Sequence, residues 1–287
     1  MNNLLELRHM LQAKESLPDH VALIQPEMNG GKVTREQIAI IAQYPDATAL
    51  TISGLDQDSF EFLVKTFGHQ FKAIHFWKCP RIADLTPLED ITELAYVAYY
   101  WNQRSARLWN FRKTKHLVGL SFEDFSKLSD LSDLAAAESL VELEFGNVMW
   151  NKCVFQSLDP LGNLLNLKQL GFSAKKIEDG RIDALAGLTK LTTLDFPTSL
   201  FTTDQVAWLR AKLPASVIGS SLEPTLSLSN PIASKGKQLD TLVVGYRKPL
   251  LDSTQDAVKL SRYREAFAAM LKFYTGNPDA KPGSYKA

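Results

Sequence analysis

Apolar residues recur along the middle of the chain in one fixed pattern. Each copy has apolar side chains at its first, fourth and sixth positions. The central apolar residues of successive copies are 24, 23, 23, 23, 27 and 24 residues apart. A repeat of roughly 20–29 residues with this pattern predicts one strand per copy and a stack of copies. The seven central residues are Leu50, Ile74, Val97, Leu120, Leu143, Leu170 and Leu194.

The segments between the predicted strands carry an apolar residue at every third position. Such ladders occupy residues 82–94, 158–167 and 182–191. One repeat cannot bury its apolar side alone, so stacked copies share one continuous core. We therefore expect an α/β repeat fold, a curved solenoid with a parallel β-sheet on its concave inner face.

The amino-acid sequence of the repeats resembles that of a known family. Residues 82–88 read I-A-D-L-T-P-L, similar to the leucine-rich repeats of bacterial internalins, whose repeats are about 22 residues long. Cys79 and Asn102 match the consensus Cys or Asn after the strand, whereas Phe125 departs from it and makes a continuous asparagine ladder doubtful. The resemblance implies a leucine-rich-repeat solenoid over residues 47–218, a bacterial origin and a role in protein binding.

The ends of a solenoid expose an apolar cross-section, so we expect caps. Residues 1–46 form the predicted N-terminal cap, with a strand at 21–24 and a helix that begins after Thr34. A helix after Thr202 closes the repeats, and residues 219–287 follow as a separate segment. This segment is predicted to contain a strand from Leu239 to Tyr246 and a helix from Ser253 to Tyr274.

The predicted final helix carries an apolar stripe that has two interpretations. Such stripes usually face a core, so the helix docks on the last repeat as a cap. The spacing is also close to a heptad seam, so the alternative is a structural homodimer formed through this helix. The stripe consists of Leu260, Tyr263, Phe267, Met270 and Tyr274.

Large rings gather where the inner face is predicted. Alternate residues of a strand point to opposite faces, and neighbouring strands lie about 4.8 Å apart. The rings of two adjacent strands therefore form one patch, which we interpret as a site for another protein, since Trp and Tyr are enriched at interfaces. The alternative is that the N-terminal segment or the C-terminal tail covers the patch. The rings belong to His75, Trp77, Tyr96, Tyr100 and Trp101.

The next two strands place acidic residues at the corresponding positions. The acids are Glu123, Asp124, Glu142 and Glu144. The common explanation is a solvated charged face, and the functional hypothesis is that they steer a partner with a basic patch. The 27-residue step makes a longer loop at Met149–Phe155, which has two interpretations, a second contact with the partner or local packing.

Composition narrows the class of partner and the compartment. Lys plus Arg and Asp plus Glu both number 32, so the basic excess typical of nucleic-acid binding is missing. Because the first residues are interrupted by Glu6, Arg8 and His9, and because no long apolar run occurs, we expect neither a signal peptide nor a membrane span. The expected location is the cytoplasm. Cys79 and Cys153, about 14 Å apart by strand spacing, are not expected to form a disulfide.

Catalytic motifs are not found in the sequence. A phosphate loop ending at Gly31-Lys32 needs a glycine where Pro26 stands. The histidines show no metal-binding spacing, and no G-x-S-x-G elbow occurs. Glu142 and Glu144 could form a carboxylate pair for acid–base chemistry or calcium binding, but the repeat already explains them as alternate residues of one strand. We therefore expect a protein without catalytic activity and without a cofactor.

Overall fold

A computed structural model describes residues 19–147, 153–234 and 236–286. Its main feature is an open sheet of eight strands, all paired in parallel, in the order β1-β2-β3-β4-β5-β6-β8-β10. The short strands β7 and β9 pair with each other beside it. The strands are β1 His20–Leu23, β2 Ala49–Ile52, β3 Ala73–Trp77, β4 Tyr96–Asn102, β5 Gly119–Phe125, β6 Glu142–Gly146, β7 Val154–Phe155, β8 Gln169–Ser173, β9 Lys176–Ile177 and β10 Thr193–Asp195.

The strand register confirms the predicted repeat. Each central residue lies beside the central residue of the next copy, from Leu50 beside Ile74 to Leu170 beside Leu194. All seven central residues are buried. The fold is therefore a leucine-rich-repeat solenoid, and its hydrophobic core is continuous along the stack of copies.

Aromatic rings form a column through this core. Phe122 stacks on Phe145 with ring centroids 5.3 Å apart, and Phe145 stacks on Phe172 at 5.4 Å. Phe172 continues the stack to Phe196 at 5.6 Å. All four occupy the sixth position of their repeats, so the column follows directly from the sequence pattern.

The side opposite the sheet is built mainly from 3₁₀ turns. Four of these turns each place a leucine in the core, at Leu88, Leu134, Leu161 and Leu185. The first full repeat instead contains an 11-residue helix, which was not predicted from the sequence. It packs through Phe60, Leu63 and Val64, and Asp56 caps its first turn.

The N-terminal cap adds one strand to the main sheet. The strand predicted at residues 21–24 is β1, which pairs with β2. The predicted helix begins after Thr34, which forms a capping box with Gln37. The helices of the chain are α1 Arg35–Ala39, α2 Gln57–Phe67, α3 Thr203–Lys212 and α4 Ala257–Gly276.

After the last repeat, Thr202 caps α3 as predicted. A three-stranded antiparallel sheet follows, formed by β11 Thr225–Ser234, β12 Lys237–Val243 and β13 Leu250–Leu251. Of these, only β12 was predicted, and it ends at Val243 because Gly245 turns the chain with φ +132°.

The final helix α4 begins four residues later than predicted. Ser253 lies instead in a turn, in which the Asp252 carboxylate accepts hydrogen bonds from the backbone N–H groups of Thr254 and Gln255. Within the stripe, Leu260, Phe267 and Tyr274 are buried.

The buried stripe packs against the chain's own core, as a cap does. Phe267 and Tyr274 join the core of the solenoid, whereas Leu260 packs with Val243 and Leu251 of the antiparallel sheet. The Tyr274 hydroxyl also donates a hydrogen bond to Asp204 of α3 at 2.7 Å.

Two predictions concern residues that the structure mostly does not describe, namely those about the start of the chain and about the longer loop. Residues 1–18, and residues 149–152 of the loop Met149–Phe155, lie outside the described residues. Within the described ranges, no helix is long and apolar enough to span a membrane.

Candidate functional site

The inner face of the sheet presents the side chains that point away from the core. Its largest cluster lies on β3 and β4, where Trp77 is directly beside Tyr100 in the register. Their rings stack, with centroids 4.8 Å apart and planes 22° apart. Both side chains are partly exposed, as are Tyr96 and Trp101 of the same strand. The sheet therefore brings the predicted tryptophans and tyrosines together on one surface.

Lys78 extends this aromatic surface at the end of β3. Its ammonium lies 5.2 Å from the centroid of the Trp77 ring, within the range of a cation–π contact. The same ammonium donates a hydrogen bond to the backbone carbonyl of Met28 at 2.9 Å. One lysine thus connects the aromatic cluster to the loop that follows β1.

Three of the predicted site residues are buried. His75 is 8% exposed, Glu123 4% and Asp124 8%. His75 packs edge-on against Trp77, with ring centroids 5.7 Å apart. Burial leaves these three side chains little surface for direct contact with a partner, so the accessible part of the predicted site is smaller than the sequence indicated.

Asp124 acts on the site through Tyr100. The Tyr100 hydroxyl donates a hydrogen bond to this carboxylate. Burial, together with the negative charges of Asp124 and Glu123, raises the pKa of Tyr100 above its usual value. The Asp124 carboxylate therefore acts on the same phenol whose ring stacks on Trp77.

The remaining predicted acids lie one strand farther along. On β6, Glu142 and Glu144 point away from the core of the solenoid and are partly exposed. Glu144 lies beside Ser121 of β5 in the register, and Glu142 lies beside Gly119. Small neighbours on β5 thus separate the aromatic cluster from this pair of carboxylates.

A groove of about 950 Å³ lies at the carboxyl edge of the sheet, beside the aromatic cluster. Tyr100, Trp101 and Asp124 line it, together with residues that the sequence analysis did not assign to the site. Met28 stands out among them because its side chain is 91% exposed. The additions include Met28 and Lys127, whereas Val154 belongs to the longer loop for which a second contact was one interpretation.

The two cysteines do not form a nucleophilic site. Both are free thiols, as expected. Cys79 is fully buried, and burial raises its pKa to about 12. Burial and the charge of Asp124 also raise the pKa of Cys153. Among the residues that the structure describes, no group of three or more His, Cys, Asp or Glu side chains is placed to hold a metal ion.

Solved structures of two Listeria monocytogenes internalins are similar to this chain. Internalin C2 is 20% identical, the match covers 65% of this chain and 73% of that chain, and the TM-score is 0.43. The internalin InlF is 17% identical, with 64% and 63% covered and a TM-score of 0.37. This chain therefore spans less than two thirds of InlF. No family model and no curated protein matches the sequence.

Proposed function

We propose that this protein is a non-catalytic scaffold that binds another protein on the inner face of its solenoid. The observation that carries the proposal is the stacked pair of Trp77 and Tyr100, which remains partly exposed although the core does not need it. Monomeric proteins seldom leave grouped aromatic side chains in contact with water unless they serve an interface.

The aromatic cluster has the properties of an interface hot spot. Trp and Tyr bury a large area on binding while losing few rotamers, and they often dominate the binding energy. Trp77 is already held between Tyr100, His75 and Lys78, so its ring is fixed before a partner arrives. Preorganisation of this kind lowers the entropy cost of association.

The pair Glu142 and Glu144 supports a partner with a basic surface. Both carboxylates reach the inner face within a few strand spacings of Trp77. Complementary charge raises the rate of encounter and selects among partners. A cytoplasmic location and a bacterial origin stay predictions, and so does the dimer through α4.

A pull-down from host lysate tests the proposal. We expect wild type to retain a protein that the triple variant Trp77→Ala, Tyr100→Ala, Trp101→Ala loses, because the variant removes the hot spot. The matched control is Tyr44→Ala with Tyr246→Ala, since these tyrosines are about half exposed but lie away from the inner face. Circular dichroism establishes that each variant is folded. Equal capture by wild type and the triple variant would contradict the proposal.

A further inference from the structure

Left-handed backbone conformations recur at the carboxyl edge of the sheet. Gly54 has φ +75°, and the corresponding residues of the next three copies, Lys78, Trp101 and Asp124, have φ between +55° and +68°. Glycine adopts this conformation without a steric cost, whereas a residue with a Cβ atom, and a bulky one above all, does so at a cost in free energy. Three consecutive copies therefore carry a side chain at a position that favours glycine, and in two of them, at Lys78 and Trp101, this side chain is large.

The three side chains meet in the groove beside the aromatic cluster, which we call the edge groove. Lys78, Trp101 and Asp124 all line it. Backbone strain concentrated at one surface is typical of a binding site, where the gain on binding offsets the cost in the free protein. The residues with a left-handed backbone are thus also residues that line the groove.

The edge groove combines apolar surface with two cations. Met28 and Trp101 supply apolar surface. Lys78 is partly exposed and Lys127 is exposed, whereas Asp124 is buried and bonded to Tyr100. Lys78 and Lys127 belong to copies that are two strands apart, or roughly 10 Å along the sheet. A peptide in the extended polyproline II conformation spans about 9 Å between residues i and i+3, and its three residues per turn place both side chains on the same side.

We propose that the edge groove binds an extended segment of the partner protein in which apolar residues lie between two acidic ones. The carboxylates pair with Lys78 and Lys127, and an apolar side chain packs between Met28 and Trp101. This inference rests on the proposed function, because the segment belongs to the same partner. The partner's basic surface faces Glu142 and Glu144, apart from this segment.

Titration with synthetic peptides tests the proposal on the full chain. The probe is acetyl-Gly-Glu-Leu-Leu-Glu-Gly-amide, and its matched controls carry Gln or Lys in place of both Glu residues. We expect the acidic probe to bind with a Kd below about 1 mM, the Gln peptide about tenfold more weakly, and the Lys peptide not measurably. Equal binding of the three peptides, or no binding of the acidic probe, overturns the proposal.

Variants assign the binding to the edge groove. Trp101→Asn removes the ring but keeps a residue that tolerates a left-handed backbone, so the protein stays folded while affinity falls about tenfold. Lys127→Ala is expected to weaken binding about threefold to tenfold, and Lys113→Ala, an exposed lysine outside the groove, to leave it unchanged. Unchanged binding by folded Trp101→Asn overturns the proposal.

The two proposals fail in different ways. If the acidic probe does not bind but the inner-face triple variant still loses its partner, only the edge-groove assignment is wrong. If the triple variant still captures the partner, the proposed function is wrong whatever the peptides do.

Discussion

Replacing Phe145 by alanine is expected to lower the free energy of unfolding by about 3–5 kcal/mol. The ring is 2% exposed and stacks between Phe122 and Phe172, with a further edge contact to Phe155. Its loss leaves a cavity in the middle of the aromatic column, which neighbouring rings held by the strand register cannot fill. The size of the loss matters because the whole stability of a domain is about 5–15 kcal/mol.

Chemical denaturation followed by circular dichroism measures this loss. The matched control is Leu165→Ala, since that leucine is 57% exposed on a turn, and its effect is expected to stay within about 0.5 kcal/mol. A solenoid is stabilised by contacts between neighbouring copies, so the damage at Phe145 spreads to both sides. A change below about 1 kcal/mol for Phe145→Ala would show that the column does not hold the copies together.

Replacing Asn102 by leucine is expected to cost about 3–5 kcal/mol, because several buried groups lose their hydrogen bonds at once. The Asn102 side-chain amide donates to the carbonyl of Ile82 at 2.9 Å and to the Tyr99 hydroxyl at 2.8 Å. Its carbonyl oxygen accepts from the backbone N–H groups of Arg104 and Ser105. Asn102 is fully buried, so water cannot replace these bonds.

The matched control for Asn102→Leu is a substitution at an exposed asparagine that makes similar hydrogen bonds. Asn166 also bonds a backbone carbonyl and a side chain, those of Glu138 and Lys190, but it is exposed. We expect Asn166→Leu to cost less than about 1 kcal/mol in the same denaturation experiment. Equal losses in the free energy of unfolding for the two variants would mean that burial does not determine how much the hydrogen bonds of Asn102 stabilise the protein.

The sheet could be predicted from the sequence because its register depends on the pattern of apolar residues within each copy. Central apolar residues such as Leu120 and Leu143 must face the core in every copy, and a shift by one residue would expose them. Helix α2 was missed because the step of 24 residues between Leu50 and Ile74 is close in length to most of the other steps. Its signals were nevertheless present, in the cap at Asp56 and the helical spacing of Phe60, Leu63 and Val64.

The candidate site was only partly predictable. Alternation along the strands predicted which side chains point away from the core, and Trp77 and Tyr100 indeed meet there. The burial of His75 and Glu123 depends on neighbouring side chains, which alternation does not describe. The edge groove was missed because it needs a loop far away in sequence, and Met28 reaches it through its bond to Lys78.

Photo-crosslinking in the native host can show whether the inner face binds a protein partner. A benzophenone side chain replaces Tyr100 in one variant and Leu165, on a turn remote from the inner face, in another. We expect a single adduct from position 100, none from position 165, and loss of the adduct when Trp77→Ala is added. An adduct of the same protein from position 165 but not from position 100 would contradict it.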